Sequence, residues 1–348
     1  MASIVIADDT RRYDGRDLER RPLGGTESSV IRFARAIAKR GHAVTVINDC
    51  AAPIEYEGVR WIPLSQAAPE TCDLFLPVQH PRLFRLVPRP RRLAVWSLWR
   101  PNNLRHYKQL PLMWRYRPIP LVASDYQVRE YSRLLPRRRA IVKIPLGLPD
   151  DVRGLAPLAA PPPPAAIFAS NPARNLLALA EIWIERILPQ RPDAVLNVYA
   201  IHDLKPGDDP WRAWAGVVLP TRVPDAARAS IRIHSTAVRG ELIAAMRRAR
   251  VMPYLGHKTE AFCLSLAEAQ ALGVPCVVAP VAVLPERVID GETGFIRGDP
   301  QAFAEATLAL LSDDALWRRQ HQAALKLQQG ISWAEYAARF EAALLADL

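Results

Sequence analysis

The chain has 348 residues, half of them hydrophobic, and a formal net charge of +11 from 46 Lys and Arg against 35 Asp and Glu. That length accommodates two ordinary domains with true cores. No stretch reaches the roughly 18 uninterrupted apolar residues of a membrane span, and Met1-Ala2-Ser3-Ile4-Val5-Ile6 is not a charged leader with a cleavage site, so a cytoplasmic location is expected.

The charge is unevenly divided. Residues 1–150 hold 26 Lys and Arg against 14 Asp and Glu, or +12, whereas residues 151–348 hold 20 against 21, or −1. A basic first half points to an anionic partner there: a membrane surface, a phosphate-bearing acceptor or a nucleic acid. Solubility alone also accounts for it. Cys50, Cys72, Cys263 and Cys276 show no C-x-x-C spacing, so reduced, buried thiols are expected rather than a disulfide frame or a zinc site.

In chain order, Ser3 to Ala7 reads as a strand that reaches Asp8 and Asp9, followed by a polar loop with Arg11, Arg12, Arg16, Arg20 and Arg21. The loop closes on Gly24-Gly25-Thr26-Glu27. Thr26 is predicted to cap a helix whose apolar face is Val30, Ile31, Phe33, Ala34, Ile37 and Ala38, stopped by Gly41, and Ala43 to Ile47 is the next strand. Strand, glycine turn, helix and strand make a βαβ unit of the Rossmann kind. The G-x-G-x-x-G fingerprint is missing, so no dinucleotide cofactor is expected. Gly24 and Gly25 allow a phosphate or sugar to approach the backbone, although an ordinary tight turn also fits.

Val59 to Ile62, Asp73 to Leu76, Leu93 to Trp96 and Leu121 to Ser124 read as further strands, alternating with Pro- and Arg-rich segments rather than long helices. Between Arg82 and Lys108, Arg85, Arg89, Arg91, Arg92, Arg100 and Arg105 are interleaved with Trp96, Trp99 and Tyr107. Such a stretch suits stacking on single-stranded nucleic acid or gripping anionic lipid headgroups, and without a nucleic-acid motif the first is disfavoured. Ser124 to Leu135 is a candidate helix. Ala156 to Ala160 and the four prolines Pro161 to Pro164 form a semi-rigid spacer, which places the domains at 1–155 and 165–330 with a linker at 156–164.

The second domain alternates strands (Ala165 to Ala169, Leu196 to Ala200, Ile231 to His234, Val251 to Tyr254, Cys276 to Ala279) with helices from Leu176 to about Leu188 and from Gly240 to Arg250, the pattern of a parallel sheet covered on both faces. Arg174, in Ser170-Asn171-Pro172-Ala173-Arg174-Asn175, follows a strand and could grip two phosphate oxygens at once. Glu260 and Glu268 stand eight residues apart. Ser265-Leu266-Ala267-Glu268 has the S-x-x-E form of a capping box, which predicts a helix from about Ser265 to Gly273. The amides of Phe262, Cys263, Leu264 and Ser265 would then converge where a phosphate is favoured. By spacing alone, Glu268 is only a helix cap and Glu260 a solvated loop residue.

The wider context adds a resemblance. E-x7-E followed by A-Q-A-x-G-V-P, with Glu286 and Asp290-Gly291-Glu292-Thr293-Gly294-Phe295 downstream, resembles the donor-site signature of GT-B glycosyltransferases of family 4. Gly24, Gly25, Glu27, Gly41, His42 and Val44 match that family's acceptor-side opening in order, and Ile144-Pro145-Leu146-Gly147-Leu148 is similar to its exit from the first domain. The resemblance implies two Rossmann-like α/β domains facing each other across a cleft, an acceptor-binding first domain and a nucleotide-sugar-binding second one. It also implies a last helix, 331–348, crossing back to the first domain. The stripe Trp333, Tyr336, Ala337 and Phe340 equally fits packing on the second domain.

The site residues implied are Glu260 beside the donor sugar, Glu268 on the ribose hydroxyls, Arg174 on the diphosphate, and Ser170 and Asn171 in the donor loop. Val238 and Arg239 would lie near the base. The family's first arginine is missing here; Lys258 supplies that charge or is simply solvated. Its first-domain histidine is missing too, since the sequence reads Trp96-Ser97-Leu98-Trp99-Arg100; His80 stands in for it or is structural. No D-x-D triplet occurs, so neither a metal nor another cofactor is expected. The activity implied is a retaining, metal-independent hexosyltransferase that moves a sugar from a nucleotide-sugar donor to a glycan or lipid-linked acceptor in bacterial cell-surface or exopolysaccharide assembly, peripheral on the inner face of the membrane. The alternatives are a GT-B-type nucleotide-sugar epimerase or phosphorylase, or a basic protein binding nucleic acid or anionic membrane.

Overall fold

The run Ser3–Ala7 forms strand β1, apolar without alternation, as suits a strand buried on both faces. The computed structural model describes residues 1–100, 108–136, 140–201, 225–235 and 237–347. Arg105 and Tyr107 of the basic aromatic stretch lie outside them. β1 lies in an eight-stranded sheet with β2 (Ala43–Asn48), β3 (Ile54–Tyr56), β4 (Val59–Pro63), β5 (Thr71–Pro77), β6 (Arg89–Trp96), β7 (Ile119–Val122) and β8 (Val142–Lys143). The order is β3-β4-β2-β1-β5-β6-β7-β8. Only the β3–β4 pair is antiparallel, and Ile4 of β1 lies between Val44 and Leu74.

The helix after the glycine turn is α1, Gly25–Ala38, burying Val30, Ile31, Phe33, Ala34 and Ile37. Its cap is Gly24, not Thr26, and no side chain caps it. A Cβ at position 24 would stand 2.4 Å from Glu27 Oε2, so the glycine leaves room for that carboxylate at the helix start. Helix α2 is Leu110–Tyr116. The helix expected across Ser124 to Leu135 is only α3, Asp125–Glu130. Ser124 caps α3 through Gln127 N at 3.2 Å, and the buried Gln127 amide donates to the carbonyls of Ser97 and Trp99 at 2.7 and 2.8 Å.

The chain divides into two units, Met1–Pro149 with Ile331–Leu348, and Asp150–Gly330. The expected linker at 156–164 is therefore not the boundary, which falls after Pro149, beyond the short strand β9 (Gly147–Leu148). The proline run belongs to the second unit. Prolines keep their carbonyl acceptors, and Pro164 O accepts from Val195 N at 3.1 Å while Leu158 N donates to His321 Nε2 at 2.9 Å.

In the second unit β10 (Ala165–Phe168), β11 (Val195–Ile201) and β12 (Ile231–Ser235) form one parallel sheet. A second holds β13 (Met252–Tyr254), β14 (Cys276–Val278) and β15 (Gly294–Ile296). A parallel bridge between Ala166 and Val251 joins them in the order β12-β11-β10-β13-β14-β15. This is a doubly wound sheet whose strand order reverses between β10 and β13. Its helices are α4 (Leu176–Ile182, continued by a π turn Trp183–Ile187), α5 (Asp225–Ser230), α6 (Arg239–Arg247), α7 (Leu264–Ala271), α8 (Pro300–Ser312) and α9 (Asp314–Leu327).

The chain then returns to the first unit. Strand β16 (Ile331–Ser332) pairs in parallel with β9 and leads into α10, Trp333–Leu344, which opens with a capping box between Ser332 and Glu335. Phe33 of α1 lies 5.3 Å from the Tyr336 ring and 4.6 Å from that of Phe340, and Trp96 of β6 lies 5.9 Å from Tyr336. The last helix thus supplies apolar cover that the helix-poor first half lacks. All four cysteines are free and buried. No helix among the described residues is long and apolar enough to cross a membrane.

Candidate functional site

Strands β10 and β13 end side by side where the sheet order reverses, the place where open α/β sheets bind ligands. Their loops meet through side chains. Ser170, just past β10, has its hydroxyl 3.0 Å from that of Tyr254, the last residue of β13. Tyr254 in turn donates to Glu260 Oε1 at 2.7 Å. A tyrosine hydroxyl has one proton, so Ser170 is the donor in the other contact. Burial pushes the Tyr254 hydroxyl well above its usual range, aided by the charge of Glu260. It remains a neutral donor.

Arg174 closes the ring. Its Nε lies 3.3 Å from the same Glu260 oxygen, and its Nη1 donates to Thr259 Oγ1 and stands 3.5 Å from His257 Nδ1. Thr259 N also donates to His257 Nδ1, at 3.3 Å. Two donors on one ring nitrogen assign the imidazole proton to Nε2. The left-handed Asn175, φ 61°, turns the chain into α4, and its Nδ2 donates to Gly256 O at 2.6 Å. Gly256, φ +65°, is required by closeness as well as conformation: a Cβ would lie 2.5 Å from Leu284 Cδ2. Asn171 holds its own turn by accepting from Ala173 N at 2.9 Å.

Helix α7 begins two residues earlier than the S-x-x-E pattern predicts. Cys263 is its cap, left-handed at φ 59°, and Ser265 is inside the first turn with its hydroxyl 3.8 Å from Cys263 Sγ. The capping box does not form, because the left-handed turn at Cys263 has already set the helix direction. The first intrahelical bond runs from Ala267 N to Cys263 O at 3.1 Å, which leaves the amides of Leu264 and Ser265 outside the ladder. Burial raises the Cys263 thiol, with Glu260 adding to the effect, so it stays protonated. Phe262 is buried under the Arg287 guanidinium, 4.5 Å from the ring centroid. Lys258 is exposed on the same loop.

Glu268, freed from capping, accepts from Arg239 Nη1 at 2.9 Å through Oε1. Arg239 also grips both oxygens of Asp151 at 2.7 Å. Burial works against its charge, but the hydrogen bonds and charges of Asp151 and Glu268 outweigh this and raise its pKa. Val238 caps α6 from an exposed position.

The remaining candidates lie in the first unit, at the end of β1. Burial raises the Glu27 carboxyl, reinforced by the charge of Asp8. Asp8 is itself raised by burial, against hydrogen bonds from Tyr13 at 2.6 Å and Thr10 at 2.9 Å. The Gly24 and Gly25 turn therefore sits beside carboxyls that hold their protons more readily than usual. His80 pairs with Asp9, shared with Arg82, and its ring meets Trp99 edge-on at 5.6 Å. Burial would raise Asp9, but the bonds from His80 and Arg82 prevail and lower it.

The structure thus gathers Ser170, Arg174, Glu260 and the start of α7 at one switch point, with Glu268 on the same helix. Sequence reasoning missed Tyr254, His257, Thr259, Asn175 and Asp151. The signal for the first three was available: polar side chains immediately after an apolar strand, in a loop that already contained Glu260.

The chain's residues 172–313 match the family model described as glycosyl transferases group 1. D-inositol 3-phosphate glycosyltransferase of Corynebacterium efficiens is 38% identical over 99 residues, 28% of this chain and 23% of that protein. The chain thus spans about a quarter of the length of the curated relatives it matches. Sucrose-phosphate synthase of Thermosynechococcus elongatus superposes with TM-score 0.72 at 16% identity, covering 99% of this chain and 98% of that one. Anabaena HepE, solved with UDP and glucose, gives 0.69 at 14% identity with 99% of each covered. Residues 172–313 are thus similar to the glycosyl transferases group 1, on a fold that is GT-B along nearly the whole length of the chain.

Proposed function

We propose that the chain is a retaining, metal-independent glycosyltransferase that moves a hexose from a nucleotide sugar to a glycan or lipid-linked acceptor. The observation that carries this reading is the ring Ser170, Tyr254, Glu260 and Arg174 at the switch point, inside the matched segment. Breaking the anomeric bond leaves negative charge on the departing diphosphate. Arg174, with the amides of Leu264 and Ser265, is the group aimed at that charge. A fixed guanidinium supplies in the protein the positive charge that a bridging cation supplies elsewhere. Glu260 accepts from sugar hydroxyls with the oxygen that Tyr254 and Arg174 do not use. Glu268 presents Oε2 to the ribose. The UDP and glucose bound to HepE support a nucleoside-diphosphate sugar as donor, and the name of the Corynebacterium relative supports glycosyl transfer. The E-x7-E pattern at Glu260 and Glu268 supports retention.

The test is thermal-shift screening against UDP, GDP, ADP, CMP and dTDP sugars, followed by transfer assays. Arg174→Ala and Glu268→Ala should each weaken nucleotide binding and transfer. If both variants match the parent in both, the assignment is wrong. Product analysis separates an epimerase, which needs no acceptor, from a phosphorylase, which needs free phosphate.

For the acceptor, we read the first unit as facing an anionic membrane, in keeping with a role in cell-surface assembly. Trp114 is 51% and Leu134 61% exposed, beside exposed Arg115, Arg117 and Arg133. Apolar side chains among basic ones suit an anionic lipid interface. Co-sedimentation with phosphatidylglycerol vesicles, lost in high salt and in Trp114→Ala with Arg115→Glu, checks it. Binding to phosphatidylcholine alone, or to oligonucleotides instead, speaks against it.

A further inference from the structure

Arg239 is committed on all sides. Its Nε and Nη2 bind the two oxygens of Asp151, each at 2.7 Å, and its Nη1 binds Glu268 Oε1 at 2.9 Å. A planar fork held at one edge by a bidentate carboxylate has little freedom left, so the nitrogen it offers to Glu268 is fixed in space. Glu268 lies past the middle of α7, where an unpartnered carboxylate would sample several rotamers.

We infer that Arg239, clamped by Asp151, is a positioning residue that fixes the Glu268 carboxylate for the ribose hydroxyls of the donor and thereby sets the preference for a ribonucleotide over its deoxy counterpart. The inference rests on the reading of Glu268 given above. One guanidinium between two carboxylates leaves the cluster negative, so Glu268 remains an acceptor-only group with Oε2 free for a hydroxyl donor. A site built to bond a hydroxyl discriminates strongly against the ligand lacking it, but only while the acceptor is held in place. Asp151 takes part without touching ligand. It is half-exposed, with 46% of its side chain accessible, so its replacement is tolerable to the fold.

The experiment measures dissociation constants by titration calorimetry for UDP against 2′-deoxy-UDP and for GDP against 2′-deoxy-GDP, in the full chain and in Asp151→Asn, Arg239→Lys and Glu268→Gln. The full chain should prefer the ribose form of whichever nucleotide it binds. Asp151→Asn and Arg239→Lys should each shrink that preference by about tenfold while affinity for the deoxy form stays nearly constant. A general loss of stability would weaken both forms alike and leave the ratio untouched. If Glu268→Gln lowers the ratio and the other two do not, the positioning role is wrong and the ribose reading stands. If Glu268→Gln also leaves the ratio unchanged, or if the parent binds the ribose and deoxy forms equally, the ribose reading fails and the inference with it.

Discussion

Arg174 Nε stands 3.3 Å from Glu260 Oε1, the oxygen that also receives the Tyr254 hydroxyl at 2.7 Å. In the proposed reading, the cation that meets the diphosphate is held in place by the carboxylate that meets the sugar. Under that reading, the arrangement would remove the cost of reorganising the guanidinium as charge develops on the leaving group.

Arg174→Ala should lower kcat/KM for transfer about 10²- to 10³-fold, the loss typical of removing one group aimed at developing charge. Arg174→Lys should recover only part of it, because an ammonium cannot span two oxygens in a fixed plane. Initial-rate kinetics on both variants decide the matter. Equal activity in Lys and parent would mean that charge alone matters at this position.

Tyr254→Phe removes the hydroxyl that links Ser170 to Glu260. The buried Glu260 oxygen then loses a donor, so the variant should be about 1–3 kcal/mol less stable, and its transfer should fall although no ligand contact is proposed for Tyr254. Denaturant unfolding with parallel assays checks both. Intact stability with full activity would show that Arg174 alone orients Glu260.

The fold was legible in the sequence where its causes are local. Short apolar runs gave β1, β2 and β10 nearly to the residue, because burial on both faces leaves a continuous signature. Errors arose where a distant or conformational cause decides. Gly24 rather than Thr26 caps α1, with the Glu27 carboxylate packed against it. Cys263 caps α7 in a left-handed conformation that its residue type does not advertise. The domain boundary was drawn at the prolines because they break secondary structure, but it is their carbonyls, bonded within the second unit, that decide where they belong. Arg174 was singled out from its place after a strand, and Glu260 from the E-x7-E spacing in its wider context. Asp151 was not, because only the tertiary fold brings it to Arg239, 88 residues away.

The last helix is a second point where sequence distance hides an interaction. Phe340 of α10 packs 4.6 Å from Phe33 and is fully buried. Phe340→Ala should destabilise the first unit by about 3–5 kcal/mol. A chain ending at residue 330 should expose Phe33 and Trp96 and aggregate or unfold at lower temperature. Melting followed by intrinsic tryptophan fluorescence reads both. Unchanged melting of Phe340→Ala would mean that the helix adds no stability to that unit.

His321 gives the second unit a pH dependence whose sign follows from its partners. The ring is stacked on Trp317 at 4.5 Å, its Nδ1 donates to Gly273 O at 2.6 Å, and its Nε2 accepts from Leu158 N at 2.9 Å. Burial lowers its pKa below the usual 6.5; the Gly273 carbonyl partly offsets this, and the charge of Arg247 adds to the lowering. The unfolded chain therefore takes up a proton at higher pH than the folded one. The contribution of the neutral ring is complete above about pH 6.5 and is lost as pH falls through the depressed folded value. Protonation would also set a ring N–H against the Leu158 N–H, loosening the proline segment from α9. His321→Gln keeps a donor and an acceptor but does not titrate. At pH 7.5 the variant should be about 1–3 kcal/mol less stable than the parent, through poorer packing and hydrogen-bond geometry. Between pH 7 and pH 5 the gap should narrow as the parent alone loses stability to this ring. Carboxylates such as Asp9 titrate in both proteins, so the difference in Tm between parent and variant isolates the imidazole. Parallel profiles across that range would exclude His321 as the source.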